Sequence, residues 1–263
     1  MTEKIAFIGS GNVASHMAEA AFLQGYEITD IWSRRLEHAQ LLASKVKSTP
    51  TDQLQQLHTD ADLYIIAVPD DYIDVVAEQL CEFLPTFATV VHTSGATSLH
   101  VLSAYFGNTG VIWPLQSLSL TKKVDFQEVP LCITSNAPTL RQQLLSLCHT
   151  LSRKVQVINE DQKQILHLAA VFANNFSNHM YTIAHDLCSE HRIDFDLLKP
   201  LINETAAKIS TEEPSHMQTG PAVRNDEKSI ATHLQLLSDK KSVQRLYQKI
   251  SENIQTKSYE NLR

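Results

Sequence analysis

The sequence predicts an α/β fold, a doubly wound and mostly parallel sheet followed by an all-helical second domain. Three observations predict it. Short apolar runs alternate with helix-period segments up to Ile158. A glycine-rich turn joins the first run to the first helical segment. After Ile158 only helical spacing persists.

Taken in order, Lys4–Gly9 reads as a buried strand, and Asn12–Gln24 carries Val13, Met17, Ala20 and Ala21 at helical spacing. Ile28–Ser33 is a second strand and Leu36–Val46 a second helix. Leu63–Pro69, a helix over Tyr72–Leu84 and a strand over Thr89–Ser94 follow. Val111–Trp113, Leu131–Thr134 and Val155–Ile158 read as further strands, with a helix over Leu140–Leu151. Asn159 and Gln162 form a helix N-cap pair. From there to Glu190 the residues Ile165, Leu168, Phe172, Phe176, Ile183 and Leu187 keep a helical period, and helices are expected near Phe195–Ser210, Asp226–Ser238 and Lys241–Thr256. The expected domains are therefore 1–158 and 159–263.

Composition narrows the function classes. Apolar residues make up 43% of the 263 residues and charged residues 19%, which suits a packed globular chain rather than a disordered one. The net charge of −7, with no block of Lys and Arg, argues against nucleic acid as a partner, because phosphate neutralisation drives that affinity. No apolar run long enough for a membrane span occurs, and the first residues lack a secretory pattern, so neither membrane nor export is expected. Cys81, Cys132, Cys148 and Cys188 are widely spaced, as expected of reduced thiols in the cytoplasm. His185, Cys188 and His191 recur every three residues, which spreads them around a helix, and no metal site is expected.

The chemistry begins at the glycine turn. Ile5-Ala6-Phe7-Ile8 runs into Gly9-Ser10-Gly11-Asn12-Val13-Ala14, which opens a helix. This is the G-x-G-x-x-A dinucleotide fingerprint of a Rossmann domain. The first glycine permits the turn, the second admits a pyrophosphate, and the helix N-terminus offers free N–H groups to it. The second strand ends Ile31-Trp32-Ser33-Arg34-Arg35. Ser33 stands where an NAD site carries an acid, and two guanidinium groups suit a 2′-phosphate, so NADP is the expected cofactor. Asp30 is the competing acid, but it sits early, within the strand. Val68 and Pro69 end the next strand at the edge where a cofactor lies, while Asp70 and Asp71 read as helix caps.

Gly-x-Gly-Asn-Val-Ala, Ser-Arg-Arg and Ala-Val-Pro-Asp together resemble the Rossmann domains of pyrroline-5-carboxylate reductases, ketopantoate reductases and β-hydroxyacid dehydrogenases. His92-Thr93-Ser94-Gly95-Ala96, Pro114-Leu115-Gln116-Ser117, the segment His167–Phe176 and Thr219–Asp226 are similar to the Rossmann-like proteins that carry the C-terminal domain of unknown function DUF2520. The resemblance covers nearly the whole chain. It implies an NADP oxidoreductase with a helical C-terminal domain like that of 6-phosphogluconate dehydrogenase, and a homodimer formed mainly through residues 159–263. The sequence departs from the pattern at Trp113, where histidine is common, and at Asn225, where glycine is expected.

The same resemblance suggests the reacting groups. His167 occupies the place of a lysine that exchanges the proton in related dehydrogenases, and Asn175, about two turns on, would hold substrate. Lys163, one turn earlier, is the alternative acid. The polar residues on this helix also suit a solvated or inter-domain face. Ser94 and Gly95 follow a strand at its carboxyl end and are expected to contact a substrate carboxylate, or to form a plain turn. Arg224 would meet an anionic substrate or a partner subunit, or bridge helices. The expected activity is NADP(H)-dependent reduction of a small carbonyl or imine substrate bearing a carboxylate. The alternatives are a non-catalytic NADP(H)-binding sensor and a reductase acting on a deazaflavin.

Overall fold

The computed structural model describes residues 3–260, and the side chains of residues 3–256. The chain divides into two compact units, Met1–Ala173 and Asn174–Arg263.

The first unit is built on eight strands: β1 (Lys4–Ile8), β2 (Glu27–Trp32), β3 (Thr49–Thr51), β4 (Leu63–Ile66), β5 (Thr89–His92), β6 (Asn108–Pro114), β7 (Leu131–Ser135) and β8 (Val155–Val157). Their order across the sheet is β3-β2-β1-β4-β5-β6-β7-β8. Only the β6–β7 pair is antiparallel. The order reverses between β1 and β4, so the crevice at their carboxyl ends is the switch point where ligands bind in such sheets. The helices are α1 (Asn12–Leu23), α2 (Leu36–Val46), α3 (Ile73–Cys81), α4 (His100–Ser103), α5 (Pro138–Leu151) and α6 (Glu160–Ala170).

Alternation along the strands places two apolar layers on the sheet. Ile5, Phe7, Ile65, Val91, Ile112 and Ile133 face α1, α2 and α5. Ala6, Ile8, Tyr64, Ile66 and Val90 face α3 and the α4 region. A third cluster of Leu99, Val111, Trp113, Cys132 and Ile158 extends under α6, which contributes Leu166. That packing is why the compact unit runs past the last strand and includes α6.

Two small elements escaped the sequence pattern. β3 contains Pro50 and lies at the sheet edge, where a missing N–H costs little. α4 has a single turn and no helical period to read. β4 and β5 end at Ile66 and His92, short of the expected Pro69 and Ser94, because the chain there turns into loops at the crevice. Asn159 and Gln162 form a reciprocal capping box at the start of α6, an arrangement worth on the order of 1 kcal/mol.

The second unit is helical, with α7 (Ser177–Glu190), α8 (Lys199–Lys208), α9 (Glu227–Leu236) and α10 (Lys241–Glu260), and no strand among its described residues. A π-helical segment, Val171–Phe176, separates α6 from α7. Of the residues that keep the helical period, Leu168, Phe172 and Phe176 are 53%, 61% and 49% exposed. Val171, Met180 and Ile183 are half-buried instead. Helical period marks a face as apolar but does not say which neighbour covers it. Ala222 and Leu237 are buried, beside a small apolar cavity of about 260 Å³ lined by Met180, Leu187, Leu246 and Ile254.

Candidate nucleotide and substrate site

The glycine turn is shaped by the approach of β1 to β4. Gly9 has φ +132°, and an added Cβ would lie 2.2 Å from the Ala67 carbonyl oxygen. Its N–H donates to the Trp32 carbonyl at 2.9 Å, tying the turn to β2. Gly11 differs in kind. It is the N-cap of α1, with no side-chain cap, and an added Cβ would meet nothing within 4 Å. The space beside Gly11 is therefore open, and α1 has no acidic residue in its first turn to repel an anion.

Gly9, Ser10, Gly11, Ser33, Arg34, Val68 and Pro69 line one cavity of about 360 Å³. The other expected nucleotide residues lie outside its walls. Asn12 accepts a hydrogen bond from the Leu120 N–H at 3.3 Å, and Val13 packs into the core. Arg35 is the N-cap of α2 and does not line the cavity. The cavity gains Trp32, His38 and Tyr72, which sequence reasoning did not single out. Tyr72 follows the crevice by a short 3₁₀ turn, and its ring lies 4.6 Å from the Arg34 guanidinium carbon.

Asp30 is removed from contention. It is fully buried, and its two oxygens accept from the His58 N–H at 3.2 Å and pair with His58 Nδ1 at 2.8 Å. The bond to Asp30, followed by its charge, raises the His58 pKa above the usual histidine value. With Asp30 engaged in this way, the β2 end presents Ser33 and Arg34 to the cavity.

A second cluster stands at the carboxyl ends of β5 and β6. His92 is fully buried, and burial with the nearby Lys163 charge pushes its pKa down to about 3. The ring is neutral at physiological pH, with Nδ1 accepting from the Ser94 N–H at 3.1 Å. Ser94 is 8% exposed, and its Oγ accepts from the N–H groups of Ala96 and Thr97 at 3.1 and 2.9 Å. The Ala96 and Thr97 N–H groups are thus used within the turn, while the Ser94 O–H keeps its proton to donate. Gly95 is required for another reason: an added Cβ would lie 2.4 Å from the Trp113 indole.

Trp113 in turn meets His167, with ring centroids 5.8 Å apart at 54°. His167 is half-buried at the end of α6. Lys163, the alternative acid, is only 1% exposed. Its ammonium donates to the Thr97 carbonyl and faces Glu160 at 3.5 Å, while Glu160 also accepts from the Leu99 N–H at 3.4 Å. Burial lowers its pKa, with Glu160 opposing the shift. These contacts make Lys163 a clamp between α6 and the 97–99 loop rather than a group open to substrate. Asn175 is exposed and lies within the π segment, which breaks the α-helical register that the two-turn spacing from His167 assumed.

Gly220, with φ +111°, and Asn225, with φ +52°, shape the loop before α9, so asparagine carries the left-handed conformation that glycine was expected to supply. Arg224 is exposed and lies close enough to Asp226 to help lower its pKa, though the bonds from Ser229 are the larger cause. A larger groove of about 820 Å³ runs between α1 and residues 120–127. Lys45, Lys122 and Lys123 line it, with Lys45 paired to Glu19 at 2.7 Å, and no fingerprint residue of the glycine turn does.

Residues 4–93 match the family described as NADP oxidoreductase, coenzyme F420-dependent, and residues 129–254 match the domain of unknown function DUF2520. A Bacteroides fragilis protein classed as an NADP oxidoreductase is 37% identical, with a TM-score of 0.90 over 97% of this chain and 98% of that one. The chain belongs to this NADP oxidoreductase family. The fold extends to more distant proteins. A pyrroline-5-carboxylate reductase from Coxiella burnetii is 16% identical, with a TM-score of 0.60 over 99% and 98% of the two chains. An imine reductase from Myxococcus stipitatus, solved with NADP+, is 14% identical, with a TM-score of 0.67 over 98% and 94%. No curated protein matches the chain. Among the described residues no helix is long and apolar enough to cross a membrane.

Proposed function

We propose that this oxidoreductase is an NADPH-dependent reductase of a small imine or carbonyl compound. The observation that carries the cofactor choice is the pairing of a sequestered Asp30 with an Arg34 that lines the nucleotide cavity. The open space at Gly11 fits a pyrophosphate, and the free N–H groups of α1 would hold it. Arg34 and Ser33 would hold the 2′-phosphate. NADPH bound there supplies hydride, and the residues of the β5–β6 edge have the remaining work of holding substrate and delivering a proton. Trp113 and Gly95 make a flat wall, and His167 beside it is the group we assign to proton transfer. With the Ala96 and Thr97 N–H groups engaged, the Ser94 O–H is the donor left at this turn for a substrate oxygen. Following NADPH absorbance against cyclic imines, ketones and aldehydes, with and without a carboxylate, tests this. Turnover that fails for every class, with NADPH bound, would contradict a reductase.

The oligomer belongs to the same proposal. Ile165 is 67% exposed and Leu168 53%, while Ile193, Leu197 and Leu201 in the helical unit are 52%, 71% and 63% exposed. Apolar residues so exposed favour burial against a second copy, most simply about a two-fold axis. Sedimentation at micromolar concentration would report twice the 29.5 kDa subunit mass. A stable monomer would contradict the homodimer. The four free cysteines, two of them buried, suit a reducing cytoplasm.

A further inference from the structure

We infer that Tyr72 is a specificity-determining residue, which sets the preference for a 2′-phosphorylated dinucleotide by holding Arg34 over the cavity. The inference rests on the NADP reading above and extends it to a residue on a different element. Arg34 stands on the exposed loop after β2 and makes no ion pair among the described residues. An arginine left free there loses much rotamer freedom when it binds a phosphate, and that loss subtracts from affinity.

Tyr72 removes part of the loss in advance. Its backbone is fixed, since its N–H donates to the Pro69 carbonyl at 2.9 Å and the next residue, Ile73, is buried. Tyr72 as a whole, by contrast, is 45% exposed and contributes little to the core. Its ring sits 4.6 Å from the Arg34 guanidinium carbon, within range of a cation–π contact, and both side chains line the nucleotide cavity. The ring face offers the guanidinium no hydrogen-bond acceptor, so the N–H donors turned away from the ring are left for a phosphate. The short 3₁₀ turn Asp70–Tyr72 therefore links the β4 edge of the crevice to the cation at the β2 edge.

The test measures dissociation constants for NADPH and NADH by calorimetry. The variants are Tyr72→Phe, Tyr72→Leu, Arg34→Ala and the Tyr72→Leu/Arg34→Ala double variant. Tyr72→Leu is expected to weaken NADPH by about threefold or more, the size of an exposed cation–π contact, and NADH by much less. Tyr72→Phe keeps the ring and should keep the NADPH to NADH ratio. In the Arg34→Ala background, Tyr72→Leu should leave the ratio unchanged, because the residue acts through the arginine. Equal weakening of both nucleotides by Tyr72→Leu, or the same ratio change with and without Arg34, overturns the proposal. If Arg34→Ala raises the NADPH to NADH ratio of dissociation constants while Tyr72→Leu does not, the proposal fails and the 2′-phosphate reading stands. If Arg34→Ala leaves the ratio intact, that reading fails and the proposal with it.

Discussion

Replacing Gly11 with alanine separates what the turn does for folding from what it does for a ligand. Gly11 has φ −75° and ψ −169°, a conformation open to any residue, and the new Cβ would meet nothing within 4 Å. Alanine at an N-cap is less favourable than glycine by up to about 1 kcal/mol. The stiffer unfolded chain returns about 0.4–1 kcal/mol. The sum is within roughly 0.5 kcal/mol of zero, a Tm change of about 2 °C or less. For a ligand the same methyl group would occupy the space that the proposed reading gives to the pyrophosphate beside the α1 N–H groups. Losing one hydrogen bond to a charged group costs on the order of 1.5–3 kcal/mol, so NADPH binding should weaken tenfold or more. Calorimetry on the variant, with thermal melts of both proteins, reads the two effects. Gly9→Ala is the contrasting control: φ +132° and the 2.2 Å approach to Ala67 predict a loss of roughly 1–3 kcal/mol in stability itself. A folded Gly11→Ala protein that binds NADPH with unchanged affinity would place the nucleotide away from Gly11.

Three further outcomes follow from the same geometry. Arg34→Ala should weaken NADPH at least tenfold and NADH little, while Arg35→Ala, outside the cavity, should change neither by more than about twofold; equal effects of the two variants in a nucleotide titration would contradict this. Gly95→Ala forces the Trp113 ring to move and should cost about 1–3 kcal/mol, read as a lower denaturation midpoint, whereas an unchanged midpoint would mean that the ring shifts freely. His92 is neutral in the fold down to about pH 3 but takes up a proton near pH 6.5 when unfolded, so its contribution to stability is present above pH 6.5 and is lost as pH falls toward 3. Between pH 6.5 and 5 the His92 share of this loss is on the order of 1–2 kcal/mol, and His58, whose pKa is raised, offsets part of it in the total read by urea denaturation. Ring nitrogen shifts of His92 that titrate near pH 6 in the folded protein would contradict it.

Local chemistry was the legible part. Gly9, Ser10 and Gly11 sit in consecutive positions between a strand and a helix, and Ser33 and Arg34 follow the next strand directly, so spacing alone placed them in one cavity. Tyr72 and His38 join that cavity only because the sheet order brings α3 and α2 to the same edge, which no local pattern encodes. Ser94 was legible as a residue at a strand end, but its hydroxyl satisfies its own turn, and a sequence does not show which donors a turn consumes. Lys163 carries a cation's ordinary signature, and only packing under the 97–99 loop buries it. At Val171–Phe176 an apolar period continued through a change in helical geometry, so the pattern gave the helix and missed the π segment and the exposed face.

Binding of NADPH at the β1–β4 switch point, through the glycine turn and Arg34, can be read by titrating isotope-labelled protein with NADPH and with NADH and mapping amide shifts. Saturable shifts are expected at Gly9, Ser10, Gly11, Ser33 and Arg34, with NADH requiring at least tenfold higher concentration. Shifts confined to the groove between α1 and residues 120–127, or equal affinity for the two nucleotides, would contradict it.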